Sequence, residues 1–415
     1  MVQFFLLLYN LLLITFLVPI LLVILLSGKR NRNEFLYCIG ERLSCYKNIN
    51  LDKNKKTVWI HCASLGEARA VEPMLDKLQN YNIVLTSITK SAREYLIQLK
   101  KANYVALAPV DIYPFVVSAV SKIKPDILVL IETEIWPGLI YSVKKSGAKV
   151  VTVNGRISKN AFKYYKITAF FWKKFLSLTD AVLVRNEIDF KYFEKILGSK
   201  EKLKITGNIK YDRNWQSGIL TRNVLNYTEQ DLIFVAGSTK ANEEEILTDV
   251  YLNLKNKYKN LKLIIAPRHI TRISEIENIL KQKNIKYSLM SKGINDDVTL
   301  VDVFGKLQGL YSVADIVFVG GSLINSGGQN PIEPSAYAKP VIFGKYMFNF
   351  ESEALLLKQN NAAFEVSDGK ELEKVADKLL SDKIFREQTG KNALTVVEGQ
   401  KGNIDRNINL IKQWI

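Results

Sequence analysis

The sequence predicts an α/β protein of two tandem domains, each a parallel sheet flanked by helices, behind an apolar N-terminal helix. Three observations lead there. The chain has 415 residues, too many for one typical core and suited to two. Short β-branched runs alternate with amphipathic stretches, the pattern of parallel strands joined by helices. That pattern restarts near residue 231, after a polar, weakly periodic stretch from Gly207 to Asn226. The expected organisation is an anchor at 1–28, a first domain at 29–206, a linker at 207–230 and a second domain at 231–415.

From Phe4 to Leu26 the chain is almost continuously apolar, broken by Tyr9, Asn10, Thr15 and Pro19. At about 1.5 Å per residue such a helix is long enough for a hydrocarbon core of roughly 30 Å. No basic residue precedes it, whereas Lys29, Arg30 and Arg32 follow, unlike a cleaved signal peptide. The positive-inside rule then puts everything after residue 28 in the cytoplasm. An interfacial or buried helix is the alternative reading.

In the first domain strands are expected at Thr57–His61, Ile83–Ser87, Tyr104–Leu107, Ile127–Ile131, Lys149–Val153 and Ala181–Val184, with helices such as Glu67–Leu78 and Ser91–Lys100 between them. In the second, strands are expected at Leu232–Ala236, Lys262–Ala266, Lys286–Ser288, Thr299–Val301, Ile316–Val319 and Pro340–Phe343. Helices there are expected at Glu243–Tyr258, Arg272–Lys283, Lys306–Val313, Pro331–Ala338 and Lys370–Leu380. Two open α/β sheets in tandem bind ligands at their strand C-termini, facing one another across a cleft. GT-B glycosyltransferases, periplasmic binding proteins and some epimerases share this outline, so it does not by itself name a reaction.

A formal charge of +17, from 58 Lys and Arg against 41 Asp and Glu, favours phosphate-bearing partners. Three cysteines (Cys38, Cys45, Cys62) without C-x-x-C spacing argue against a disulfide framework or zinc knuckle, and two histidines (His61, His269) against a multi-histidine metal site. No D-x-D motif occurs, so neither a metal bridging a donor phosphate nor a cofactor is expected.

Four stretches carry chemistry. In Trp59-Ile-His-Cys-Ala-Ser-Leu-Gly-Glu67 a strand ends at His61 and a small-residue turn leads to a helix opened by Glu67. Glu67 there is either a general base or a carboxylate complementing the helix N-terminus. Ile131-Glu-Thr-Glu-Ile-Trp-Pro-Gly138 follows a strand, and extended alternation would point Glu132 and Glu134 the same way. Alternatively one of them pairs with a basic residue such as Arg156. Ala236-Gly-Ser-Thr239 and Ala266-Pro-Arg-His269 place Ser238 and Arg268 at strand ends, where hydroxyl, backbone N–H and guanidinium groups suit a nucleotide phosphate. Last, Val319-Gly-Gly-Ser-Leu-Ile-Asn-Ser-Gly-Gly-Gln-Asn-Pro-Ile-Glu-Pro334 offers a backbone that a ligand can approach closely. Pro331 would start a helix aimed at this loop, with Glu333 placed to accept from ribose hydroxyls.

Taken together, these motifs resemble the transferases of 3-deoxy-D-manno-octulosonic acid (Kdo). The resemblance rests on H-x-A-S-x-G-E (His61 to Glu67), E-T-E-x-W-P (Glu132 to Pro137), N-x-R-x-S (Asn154 to Ser158), G-N-x-K (Gly207 to Lys210), A-G-S-T, P-R-H and G-G-S-L…G-G-x-N-P-x-E-P. Phe343-Gly…Phe348-Asn349-Phe350 completes it. It covers the chain from the anchor to about residue 350. It implies a GT-B fold, CMP-Kdo as donor, a lipid A precursor (lipid IVA) as acceptor at the cytoplasmic face of the inner membrane, and metal-independent transfer with inversion. By motif position it makes Glu67 the general base with Glu132 or Glu134 an essential neighbour. The donor would be held by Lys210, Ser238, Arg268, Gly321, Ser322, Asn330 and Glu333. The sequence departs from the expected pattern at Gly155 (Ala expected), Lys240 and Gln329 (His expected at both) and Ile270 (Pro expected). Two rival readings remain at this level. One is a GT-B protein using a UDP-sugar; the other is a tethered, basic nucleic-acid- or lipid-binding protein, although no recognised nucleic-acid module is present and no obligate protein partner is implied.

Overall fold

The computed structural model describes residues 1–26, 36–213, 215 and 218–415, with side chains at 18, 20–22 and 24–26 also outside the description. Lys29, Arg30 and Arg32, on which the expected orientation rests, lie outside the described residues. The chain divides into two compact units, Met1–Arg213 with Lys401–Ile415, and Asn214–Gln400.

The first unit is a seven-stranded sheet. Its strands are β1 (Thr57–His61), β2 (Asn82–Ser87), β3 (Tyr104–Leu107), β4 (Ile127–Ile131), β5 (Lys149–Gly155), β6 (Ala181–Val184) and β7 (Leu203–Ile205). All pair in parallel, in the order β3-β2-β1-β4-β5-β6-β7. Both faces are buried, so the strands read as continuous apolar runs: Ile127–Ile131 has no exposed residue. Alternate residues feed separate cores. Val58 and Ile60 of β1 face a cluster with Val71, Met74 and Leu75, while Trp59 packs with Val116 and Ile140 on the other side. The order reverses between β1 and β4, and the loops leaving that point are where such sheets hold ligands.

The second unit repeats the plan with β8 (Leu232–Thr239), β9 (Leu261–Pro267), β10 (Tyr287–Leu289), β11 (Val298–Leu300), β12 (Ile316–Val319), β13 (Val341–Gly344) and β14 (Ala363–Val366), in the order β10-β11-β9-β8-β12-β13-β14. Every pairing is parallel, and the reversal falls between β8 and β12.

Several expectations need correction. The helix expected at Pro331–Ala338 spans only Ile332–Ser335; four residues carry little aligned dipole, so the expected helix end aimed at the glycine loop is not formed. The C-terminus does not stay with the second unit. Helix Asn403–Ile411 buries Ile404, Ile408 and Ile411 in the first unit's core, beside Ile209. There, Asp212 accepts hydrogen bonds from the backbone N–H groups of Gly402 (2.8 Å) and Ile404, and Asn403 donates to the Asn208 carbonyl at 2.9 Å.

The N-terminal helix forms over Val2–Leu26. Among the described residues, no helix is long and apolar enough to cross a membrane. Polar residues before and within its apolar run tie it to the first unit. Gln3 donates to the Tyr141 hydroxyl (3.0 Å), Tyr9 bonds Asp111, and Asn10 accepts from the Tyr113 N–H at 2.7 Å. Phe5 packs against Phe170 and Phe171.

Candidate active site

The first unit gathers three carboxylates at its reversal point. Ser64 caps the helix Leu65–Asp76, accepting from the Glu67 N–H at 3.4 Å, while the Glu67 side chain turns back as in a capping box. Its Oε1 accepts from the Ser64 hydroxyl at 2.7 Å and its Oε2 from the Ala63 N–H at 2.7 Å. The helix-start reading of Glu67 therefore holds, because the carboxylate completes that start, and the same carboxylate sits at the sheet's ligand edge. Burial, then the negative charges of Glu132 and Glu134, push its carboxyl up to about 7, against the pull of Ser64 and the Ala63 N–H. A carboxylate tuned near neutrality suits proton abstraction at physiological pH.

Glu132 and Glu134 do not share one partner. Extended alternation fails because Glu132 adopts φ of 63°, a left-handed conformation unusual for a non-glycine residue. Its Oε1 accepts from Lys210 Nζ at 2.5 Å and its Oε2 lies 3.9 Å from Arg156. Burial opposes its charge, but Lys210 and Arg156 outweigh burial and hold the carboxyl down at about 2. Lys210 sits in the short turn Ile209–Asp212, whose Ile209 N–H donates to Asn154 at 3.1 Å. Three motifs distant in sequence thus meet: Glu132 after β4, Asn154 and Arg156 at the end of β5, and Lys210 after β7. Lys210, expected among the donor-binding residues, belongs to the first unit, and its ammonium is bonded to Glu132.

Glu134 instead accepts from the Trp136 indole at 2.6 Å and lies 3.8 Å from His61 Nε2. His61 is fully buried at the end of β1; its Nδ1 is 3.0 Å from the Thr86 hydroxyl, which also accepts from the Trp59 indole at 2.8 Å. His61 Nε2 is buried with no hydrogen-bond partner among the described residues. Asp111, which the sequence did not single out, fixes the wall: its carboxylate accepts from the N–H groups of Gly138 and Leu139 at 2.9 and 2.7 Å. A Cβ on Gly138 would lie 2.7 Å from Asp111 Oδ1, so the glycine after Trp136-Pro137 is required for this contact.

In the second unit, Ser238 is the penultimate residue of β8, with φ of 57°, and β12 runs parallel beside that strand. A Cβ on Gly320 would stand 2.5 Å from the Ser238 carbonyl oxygen. The main organiser is Glu243, a fully buried residue with no assigned role in the sequence reading. Its carboxylate accepts from the N–H groups of Lys240 (2.9 Å), Gly321 (2.6 Å), Ser322 (3.0 Å) and Leu323 (3.1 Å). The amides of Gly321 and Ser322 are therefore directed at a carboxylate of the chain itself. The Ser322 hydroxyl is also engaged, donating to the Val319 carbonyl and accepting from the Gly344 N–H at 2.8 Å. Lys240 reaches the Ser326 hydroxyl inside the glycine loop. Asn330 braces the loop's end, accepting from the Ile332 N–H at 3.1 Å and donating to Glu333 at 3.4 Å. Arg268 is exposed at the end of β9, its N–H donating to the Thr239 carbonyl at 2.9 Å. Ser238, Arg268, Gly321 and Asn330 thus lie near strand ends and in the adjoining loop of one unit, with Glu333 in the short helix Ile332–Ser335 that follows, while the signal that would reveal Glu243 is the run Glu243-Glu244-Glu245 opening a helix.

Comparison with known proteins gives these arrangements a lineage. A sequence profile described as 3-deoxy-D-manno-octulosonic-acid transferase (kdotransferase) matches residues 38–213. The chain is 36% identical over 362 residues to a bifunctional glycosyltransferase/methyltransferase of Fusobacterium nucleatum; the match covers 83% of this chain and 56% of that longer protein. It is 32% identical over 392 residues to the 3-deoxy-D-manno-octulosonic acid transferase of Haemophilus influenzae, covering 91% of each. A glycosyltransferase from Rickettsia africae shares the fold with a TM-score of 0.62 at 15% identity, over 87% of this chain and 99% of that one. With its two parallel-sheet units of GT-B glycosyltransferase type and identity sustained along nearly its whole length, the chain belongs to the 3-deoxy-D-manno-octulosonic acid transferase family.

Proposed function

We propose that this chain transfers Kdo from CMP-Kdo to a lipid A precursor, lipid IVA, with inversion and without a metal ion, in lipopolysaccharide synthesis at the cytoplasmic face of the inner membrane. The observation that carries the mechanism is the Glu67 carboxylate, buried at the reversal point of the first sheet and raised to about 7 beside two further carboxylates. Glu67 removes the proton from the attacking hydroxyl of the acceptor. Glu132 keeps Glu67 basic by its negative charge, and is itself kept ionised by Lys210 and Arg156. The second unit takes the nucleotide at Ser238, Arg268 and the loop from Gly320 to Glu333, where Lys240 and Arg268 supply positive charge for the departing phosphate.

Membrane attachment is part of this reading. The docked helix turns Phe4, Leu7, Leu11 and Phe16 outward, and Ile167 and Phe170 continue that apolar face next to Lys163, Lys166 and Lys173. Apolar side chains flanked by lysines suit an anionic membrane surface. Since Gln3 and Phe5 touch the folded unit, the helix lies along the interface and does not carry its first residue to the far side.

The experiment is transfer from CMP-Kdo to lipid IVA, read by product mass, for the wild type and Glu67→Gln. The proposal expects loss of transfer by about 10²- to 10⁴-fold with CMP still raising the melting temperature. Near-normal transfer by the variant removes Glu67 as base. Stabilisation by UDP-sugars but not by CMP removes the donor assignment.

A further inference from the structure

The first unit contains a cavity of about 260 Å³ that the proposed chemistry does not use. Leu13 and Leu17 of the N-terminal helix form one wall; Ile88, Ala108 and Val110, from the loops after β2 and β3, form another. Folded interiors seldom keep voids larger than a water molecule, so a chamber this size is a place for something to enter. Its polar side chains are Asp111, already satisfied by the Gly138 and Leu139 N–H groups, and Arg42 and His61, each with one nitrogen unmatched. Arg42 and His61 both line it, and Arg42 Nε and His61 Nε2 are buried without a hydrogen-bond partner among the described residues. Buried donors left unmatched are costly and call for an acceptor atom. Trp136 connects the cavity to the reaction site, lining the former while its indole holds Glu134.

An apolar chamber with hydrogen-bonding nitrogens at one side matches an alkyl chain ending in a carbonyl, and neither a bare sugar nor a water cluster. We propose that this cavity receives one acyl chain of the lipid acceptor, its carbonyl oxygen meeting Arg42 and His61. This inference rests on the lipid-acceptor reading above. The N-terminal helix is then more than an attachment: its Leu13 and Leu17 wall the acyl subsite, and the chain held there sets the distance of the acceptor hydroxyl from Glu67.

The test uses the full chain in nanodiscs of anionic lipid with a diazirine-bearing palmitate as probe. Photolabelling is expected on the peptides containing Ala108–Val110 and Leu13–Leu17, competed by unlabelled palmitate and lost in Ala108→Trp, which fills the chamber. Val110→Phe serves the same purpose should the tryptophan variant fail to fold. Labelling confined to the outward residues Phe4, Leu7 and Leu11, and unaffected by either variant, overturns the proposal. In transfer assays either filling variant is expected to raise KM for lipid IVA at least tenfold while stabilisation by CMP is unchanged. An unchanged KM in a folded variant also overturns it. Competed, variant-sensitive labelling of a wild type that transfers no Kdo supports the cavity and refutes the proposed reaction, so the two failures are distinguishable.

Discussion

Glu67 and Glu132 are neighbours whose proton affinities are driven apart, and their pH behaviour separates them. With its folded-state value raised to about 7, the Glu67 carboxyl favours the folded chain below about pH 4.5, and that contribution fades as the pH rises through about 7. Glu132 has the opposite sign: held at about 2, it contributes stability above about pH 4.5 that is lost as the pH falls towards 2. A base must be ionised, so kcat should rise with pH through about 7. Glu132→Gln removes the negative charge that raises Glu67 and frees Lys210 and Arg156. The rising limb of the pH–rate profile is therefore expected to move to lower pH; a limb that stays in place or moves upward shows that another group controls it. Lys210→Met should be costlier to the fold, by about 3–5 kcal/mol, because it strips the closest cation from a buried carboxylate; denaturant titration checks this. The departure at Gly155 also has a local reason, since a Cβ there would stand 3.3 Å from both Phe193 and Val184.

At the scale of the element, one turn or loop serves both folding and chemistry. Ser64 caps its helix and donates to the Glu67 carboxylate. Ser64→Ala is expected to cost about 1 kcal/mol of stability and, by removing a bond that favours the charged carboxylate, to shift the pH–rate limb upward. That direction is opposite to Glu132→Gln, so the pair tests whether one carboxyl controls the profile. In the second unit Glu243 closes the glycine loop with four backbone hydrogen bonds. Glu243→Ala strands those N–H groups, at about 1–3 kcal/mol for each that stays buried and unmatched. It should lower the melting temperature and abolish stabilisation by CMP; retention of both would show that the loop holds its shape without the carboxylate.

At the scale of the whole molecule, the last fifteen residues and the first seventeen both belong to the first unit. Deleting 401–415 removes Ile404, Ile408 and Ile411 from its core. Loss of large buried aliphatics costs about 2–5 kcal/mol each, so hydrogen-exchange protection should fall in β1 and β4 far more than in β8 and β12. Equal loss in both sheets would contradict the division at residues 213 and 401. The docked N-terminal helix makes a second prediction. A cysteine at Val2 should be labelled by an impermeant maleimide only from the side that holds the folded units, whereas labelling from the opposite side restores a full crossing.

Nearly every strand was legible because parallel strands buried on both faces leave long apolar runs, and the ten residues expected at the sites lie in or near the loops that follow such strands. β1, β3, β4, β6 and β12 match their expected bounds. The missed strands, β7 and β14, are short and of mixed polarity (Leu-Lys-Ile and Ala-Phe-Glu-Val), so local pattern alone does not distinguish them from loop. Sequence by itself determined the two-sheet plan, the apolar N-terminal helix and the family, since these rest on local periodicity and on ordered motifs. Only tertiary structure decided that Lys210 serves Glu132, that Glu243 occupies the amides of the glycine loop, and that the terminal helix returns to the first core. Each depends on contacts between residues far apart in the chain, across 78 positions for Lys210 and Glu132 and 195 for Asn403 and Asn208. The N-terminal helix shows the same limit: its composition tells that it is apolar, but Gln3, Tyr9 and Asn10 reveal where it docks only once Tyr141, Asp111 and Tyr113 are folded beside them.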